Sequence, residues 1–150
     1  MAGMYYEDFV VGEVIRHEIT RTVTESDNLL ITTLTMNVQP LHLDAEFSGE
    51  SIFGRQIVNS IFTLGLVTGI PVQETTLGTT LGNLGFREIS FPKPVFFGDT
   101  LRVETEALDK RESNSRPGTG IVGIEHRGYN QNDELVCTVR RTALMKCRPS

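Results

Sequence analysis

Apolar and polar residues follow different rhythms in the two halves of this chain. "EVIRHEITRTVT" (Glu13 to Thr24) alternates well enough to predict an opening strand. "TESD" (Thr24 to Asp27) supplies an N-cap and acidic first-turn residues, predicting a short helix through about Thr35. A loop from Asn37 to Asp44 follows, stiffened by Pro40, and then a brief helical turn around "AEFSGES". "IVNSIFTLGLVTGI" (Ile57 to Ile70) is apolar on nearly every face and predicts a buried helix. Gly65 and Gly69 each cost that helix roughly 1 kcal/mol against alanine, so a close backbone approach is expected there, most simply by a sheet. From Leu81 onward the period changes to that of strands. "LGNLGFREISF" ends at Pro92 and Pro94, "TLRVETEAL" follows the turn "FGD", and "GIVGIEHRGYN" and "ELVCTVRRTALM" flank the turn "NQND". The segment "DKRESNSRPGTG" reads as a polar loop. One buried helix followed by long antiparallel strands predicts an α+β fold, a single sheet curled around one helix.

Composition narrows the function. At 150 residues, 39% hydrophobic and 22% charged, the chain reads as one globular domain over 1–150, large enough for its own core. The net charge of −5 and the lack of a Lys/Arg cluster argue against nucleic-acid binding. No apolar run approaches the length of a membrane span, and "MAGMYYEDF" lacks a signal-peptide pattern. The two cysteines, Cys137 and Cys147, have no metal-ligand spacing and suit a reducing cytoplasm. No G-x-G-x-x-G, P-loop, G-x-S-x-G or H-E-x-x-H pattern occurs, so nucleotide, metal and serine-hydrolase chemistry lack support.

Candidate chemistry gathers in the first half. His42 follows the proline-stiffened turn and reads either as an acid–base group or as a structural imidazole. Asp44, two residues on, either orients that imidazole or caps the turn "AEF", the cap being the simpler role. The amides of Val58, Asn59 and Ser60 fall in the first turn of the long helix, unpaired by the helix and backed by its positive dipole end. Such an end polarises a carbonyl as an oxyanion hole does, or else is an ordinary hydrated helix start. His17 and His126 sit in strands with no obvious partner and read as structural. Ser113, Ser115 and Arg116 form a polar loop suited either to phosphates or to solvent.

"NVQPLHLDAEFS…FGRQIVNSIFTLGL" resembles the motif of the MaoC-type, R-specific enoyl-CoA hydratases, a D-x-N-P-x-H-x-D loop followed by an F-x-x-x-I-V-H-G helix start. The resemblance extends over almost the whole chain, through "YYEDFVVGE", "FPKPVFFGDTL" and "GIVGIEHRGYNQNDELV". It implies a hotdog fold, a curved antiparallel sheet wrapped around a central helix, assembled as a homodimer or higher homo-oligomer. It implies an acyl-CoA substrate and no separate cofactor, CoA being part of the substrate. His42 falls on the family's catalytic histidine, Asn37 on its catalytic aspartate, Gln39 on its asparagine and Asp44 on the motif's last aspartate. Asn59 and Ser60 fall on its His-Gly, so the thioester-holding amide would be that of Ser60; Phe53 and Ile57 match directly. Gln39, Asp44, Asn59 and Arg116 are the expected substrate contacts.

Asn37 is the telling departure, because an amide positions water but cannot take its proton near neutral pH. "N-x-Q-P-L-H-x-D", "VNSIFTLGL", "TTLGTT" and "SRP…GIV…EHRGYNQ" are similar to a narrower branch associated with mesaconyl-CoA hydration and β-methylmalyl-CoA dehydration. A mesaconyl chain carries a free carboxylate, and an aspartate about 4 Å from it would repel it by roughly 4 kcal/mol at an effective dielectric of about 20. The expectation is therefore a hydro-lyase retuned for an acidic acyl chain. A hotdog thioesterase and a non-catalytic acyl-CoA binder are the alternatives; the first is disfavoured by the missing carboxylate at Asn59–Ser60, the second favoured by Asn37.

Overall fold

The structure, a computed structural model, describes residues 3–150. The chain opens with a 3-10 turn (Tyr6–Asp8) and runs β1 (Val14–Arg16), β2 (Arg21–Thr22), α1 (Glu25–Leu34), α2 (Pro40–Leu43), α3 (Ala45–Gly49), α4 (Ser60–Gly69) and α5 (Val72–Thr75). Four long strands follow: β3 (Thr80–Ser90), β4 (Thr100–Glu112), β5 (Thr119–Tyr129) and β6 (Leu135–Lys146). All strand pairings are antiparallel in the order β1-β4-β5-β6-β3, with β2 also on β4. β3 is consequently a free edge.

The expected elements are present, with instructive differences. Thr24 caps α1 in a reciprocal box with Asp27, whose carboxylate accepts the Thr24 amide at 2.8 Å. The expected opening strand is split at residues 17–20. Arg16 pairs with Glu104 and Arg21 with Leu101, so the intervening residues loop out, and His17 is turned into the interior instead. The central helix begins at Ser60 rather than Ile57, because Asn59 is its N-cap and Val58 gives its amide to the Val95 carbonyl at 2.8 Å. That helix is buried on one side only: Thr63 and Val67 face inward while Ile61 is 54% exposed.

Gly65 and Gly69 do not pack on the sheet. A Cβ at either would meet nothing within 4 Å. The close approach is made instead by the strands. At Gly128 of β5 a Cβ would stand 2.5 Å from Val67 Cγ2, so the bare backbone is what lets α4 settle onto the sheet.

Alternation along the strands puts two apolar clusters on the helix side. Val67, Leu101, Val103 and Val139 belong to the one beneath α4. Phe9, Ala107, Val122, Ile124 and Met145 form the other, beneath the N-terminal segment. On the outer face of the sheet, Arg127 donates to Glu106 (2.8 Å) and Glu125 (2.6 Å), and Arg140 to Glu125 (2.7 Å).

A buried polar chain separates the two clusters, occupying the position between them on β4, β5 and β6. Arg141 Nε lies 2.9 Å from His126 Nε2, His126 Nδ1 is 2.8 Å from Thr105 Oγ1, that hydroxyl is 2.7 Å from His17 Nε2, and His17 Nδ1 is 2.7 Å from Glu74 Oε2. His17 and His126 therefore do have partners. Arginine only donates and a carboxylate only accepts, so one arrangement satisfies the chain. His126 is neutral with its proton on Nδ1, Thr105 donates to His17 Nε2, and His17 Nδ1–H donates to Glu74.

Burial, and then the neighbouring Arg141 charge, hold His126 well below its ordinary value of 6.5. Below that pH the unfolded chain takes up a proton that the folded chain refuses, so stability is present above it and lost as pH falls. Urea unfolding from pH 8 to pH 5 should show wild type losing stability relative to His126→Gln by up to about 1.4 kcal/mol per pH unit below about 6.5. A difference flat across that range would contradict the assignment.

Candidate active site

The site is assembled around one side chain of α1. Asn28 and Thr32, a helical turn apart, are buried on its inner face. Asn28 Nδ2 donates to the His42 carbonyl at 3.0 Å while Asn28 Oδ1 accepts the Asn59 amide at 2.8 Å. Gln56 Nε2 adds a second donor to the His42 carbonyl, also at 3.0 Å. The histidine turn and the start of α4 are thereby tied to one another through the protein interior.

His42 stands on α2, a single helical turn that Pro40 starts from its N-terminal position. The loop leading in is shaped by Met36, at φ 56°, and by Asn37, whose Oδ1 accepts the Gln39 amide at 2.9 Å. His42 Nδ1 lies 2.9 Å from the Ile57 carbonyl, and Ile57 returns its amide to the Leu41 carbonyl at 3.2 Å. A carbonyl only accepts, so Nδ1 holds the proton and Nε2 keeps its lone pair. The tautomer suits a base acting through Nε2.

Three residues beyond Ile57, α4 begins. Of the three amides expected to be free there, two are occupied: Val58 binds Val95 and Asn59 binds Asn28. The amides of Ile61, Phe62 and Thr63 turn back to the side chain or carbonyl of Asn59. Among the described residues only Ser60 has a first-turn amide without an acceptor, and it is exposed at the positive end of the helix. Beside it lies a cavity of about 200 Å³ walled by Phe53, Ile57, Phe91 and Pro92. The imidazole of His42 is thus anchored to the Ile57 carbonyl, and the free amide of Ser60 follows three residues later, a pairing suited to moving a proton next to a polarised carbonyl.

The other expected residues are placed differently. Asn37 directs its oxygen into its own turn. Gln39 is exposed, and its side chain makes no hydrogen bond among the described residues. Asp44 caps α3, accepting the Phe47 amide at 3.0 Å. Asn59 is buried; its Oδ1 caps α4 at the Ile61 amide (3.0 Å) and its Nδ2 donates to Thr32 Oγ1 (3.2 Å), so its polar groups face the protein rather than a substrate. Arg116 is not brought to the site within one chain. It sits in the β4–β5 turn, beside Thr119, which pairs with Lys146, whereas Ser60 lies against Val136 at the start of β6. Ten residues of strand, roughly 33 Å, separate the two ends. The sequence reading gave Asn28, Thr32 and Gln56 no role; the available signal was a pair of polar residues four apart on the face that α1 must bury.

A MaoC like domain is matched over residues 8–130. The chain belongs to the MaoC-like family. It is 33% identical over 147 residues to mesaconyl-CoA hydratase of Cereibacter sphaeroides, which covers 98% of this chain and 42% of that protein. Among solved structures, the MaoC-like dehydratase of Rhodospirillum rubrum superposes with a TM-score of 0.85 at 28% identity, covering 99% of this chain and 100% of the other. A Mycobacterium tuberculosis protein described as a double hotdog fold gives 0.88 at 23% identity, covering 99% of this chain and 46% of that one. The hotdog fold expected from the resemblance is thus the fold observed. The chain spans about two fifths of the length of the curated relatives it matches over nearly all of its own sequence. No helix of the described residues is long and apolar enough to cross a membrane.

In this MaoC-like site, Asn28→Ala should orphan the buried Asn59 amide at a cost of about 1–3 kcal/mol in urea unfolding. Leu29→Ala, on the exposed side of the same helix, should stay within about 0.5 kcal/mol. Equal losses for the two variants would remove Asn28 from its organising position.

Proposed function

We propose that this chain is a hydro-lyase that adds water to, or removes it from, an α,β-unsaturated acyl-CoA thioester. The observation that carries this reading is the Nε2 lone pair of His42, oriented by the Ile57 carbonyl, together with the free amide of Ser60 three residues beyond Ile57. In the hydration direction His42 Nε2 takes one proton from water as the water oxygen bonds to the β-carbon. The double-bond electrons move onto the thioester oxygen, where the Ser60 amide stabilises the charge. The imidazolium then returns that proton to the α-carbon, and the other water proton remains on the new hydroxyl. One histidine suffices for both transfers, and the reaction as written needs no resident cofactor. Asn37 orients rather than abstracts. Gln39 is exposed and available to the acyl chain, whereas Asp44 and Asn59 serve as helix caps and Arg116 lies too far away to act in the same chain.

Mesaconyl-CoA and β-methylmalyl-CoA are the proposed pair of substrate and product, supported by the similarity to a mesaconyl-CoA hydratase and by the neutral Asn37 where a carboxylate would repel an acidic chain. The proposed assembly is a homodimer through β3. That strand is an unpaired edge exposing Leu81, Leu84, Phe86 and Ile89, the kind of edge that proteins ordinarily cover. The double hotdog fold of the Mycobacterium tuberculosis protein, of which this chain covers 46%, supports a second such domain beside the first. Two free cysteines and a short soluble-type composition support a cytoplasmic setting.

His42→Ala should lower the hydration rate by about two to four orders of magnitude while leaving the unfolding midpoint nearly unchanged. Enoyl-thioester absorbance and free-thiol release, followed on the same CoA esters, separate the readings. Loss of enoyl absorbance without thiol supports the hydro-lyase; thiol release makes it a thioesterase; binding with neither makes it an acyl-CoA binder.

Asn37→Asp should depress hydration of mesaconyl-CoA by like-charge repulsion, roughly 4 kcal/mol at about 4 Å and an effective dielectric of about 20 before solvent and side-chain adjustment. The same change should raise hydration of uncharged crotonyl-CoA by supplying a second base. A variant that moves neither rate would leave the charge argument without support.

A further inference from the structure

Arg141 is 7% exposed, and its one hydrogen bond among the described residues runs from Nε to neutral His126. No carboxylate pairs with it there, in contrast to Arg87, Arg102, Arg127 and Arg140. Burial draws its pKa down from 12.5, yet a guanidinium stays cationic in a protein. A buried cation without a counter-ion is costly. Nη1 and Nη2 are not shut in, since Thr79 Oγ1 alone among the described side-chain atoms is both closed off and without a partner. The space open to them is a cavity of about 390 Å³ that Arg141 shares with the α4–α5 segment and β3.

The other walls of that cavity supply donors and no acid. Thr68 and Thr80 spend their hydroxyl protons on the Leu64 and Leu144 carbonyls, at 2.9 and 3.3 Å. Thr76, just past α5, and Asn83, on β3, make no side-chain hydrogen bond among the described residues and keep their protons. No Asp or Glu lines the cavity; Glu74, two residues before Thr76, is turned to His17. Gly78, another wall residue, accepts Lys146 Nζ on its carbonyl at 3.0 Å, which brings a second cation close by. A carboxylate has two oxygens, and the guanidinium fork alone would occupy both. A phosphate presents at least three acceptor oxygens, enough for the fork, the Asn83 amide and the Thr76 hydroxyl together. The donor set fits a phosphate better than a carboxylate.

We propose that this cavity binds a phosphate group, anchored by Arg141, with Asn83 from the strand side and Thr76 from the helix side as donors to its other oxygens. All three residues belong to one chain, so the site is complete without a second copy. Its walls share no residue with those of the cavity at Ser60, which sets it apart from the chemistry at His42. The phosphate is either inorganic phosphate or one carried by a larger molecule, such as the CoA of the proposed substrate.

A phosphorus NMR titration of inorganic phosphate into the full chain, at constant ionic strength, tests it. Wild type should saturate with a Kd of about 1 mM or below. Arg141→Lys, which keeps the charge but not the fork, should bind about 10-fold more weakly. Asn83→Asp changes an exposed position, leaves the buried arginine in place and sets a carboxylate in the cavity, so saturation should disappear. Should Arg141→Lys fail to fold, Asn83→Asp decides alone. Arg87→Lys, whose arginine is paired with Asp109 outside this cavity, should bind as wild type does. A wild type that does not saturate by about 20 mM, some twentyfold above the expected Kd, overturns the proposal. Undiminished binding by folded Asn83→Asp places the phosphate elsewhere and overturns it too. Competition then identifies the source. Displacement of phosphate by CoA but not by pantetheine assigns the cavity to a phosphate of CoA, and displacement by neither assigns it to free phosphate. Displacement by pantetheine, which carries no phosphate, contradicts the site. None of these measurements needs turnover, so they judge the phosphate site independently of the hydro-lyase reading.

Discussion

The contact between Val67 and the bare backbone of Gly128 sets the distance between α4 and the sheet, and the site depends on that distance. A side chain at position 128 would occupy the space of the valine methyl, 2.5 Å away. With the helix seated, Val58 reaches the Val95 carbonyl and Asn59 reaches Asn28. The first turn of α4 is then fixed with every early amide occupied except that of Ser60. A helix start that satisfied its own amides with solvent would offer several competing donors; this one offers a single donor in a defined direction.

Asn28 extends the same logic to His42. Its amide is a donor and an acceptor in one rigid plane, and both ends are used on backbone groups, the His42 carbonyl and the Asn59 amide. His42 and the Ser60 amide come from segments separated by a loop, yet one buried side chain bridges those segments. The Ile57 carbonyl then fixes the imidazole tautomer. In the proposed reaction, preorganisation of this kind would cost nothing, since no group would have to turn on the arrival of a thioester.

The polar chain through His17, Thr105 and His126 has an orientation forced by its ends. A carboxylate at Glu74 and a guanidinium at Arg141 leave only one way to direct the protons between them. Its middle members are neutral, so it separates two opposite charges across the interior instead of pairing them.

Periodicity along the chain determined the strands, the α1 cap at Thr24, the turn at Pro40 and the α+β class, because each is a local preference of backbone or side chain. The motif residues His42 and Ser60 were legible for the same reason: a proline-stiffened turn and a helix start are written in adjacent residues. The start of α4 was misplaced by three residues, since an apolar run looks the same whether Ile57 and Val58 are helical or extended, and only the distant Val95 carbonyl decides. Gly65 and Gly69 drew attention that belonged to Gly128, because sequence shows where a side chain is missing but not which surface comes near. The roles of Asn28, the tautomer of His42 and the hydrogen bond from Arg141 to His126 depend on partners 14 to 31 residues away. Hydrogen bonds that cross so much chain are set by how the helix and sheet pack, and tertiary structure alone decided them.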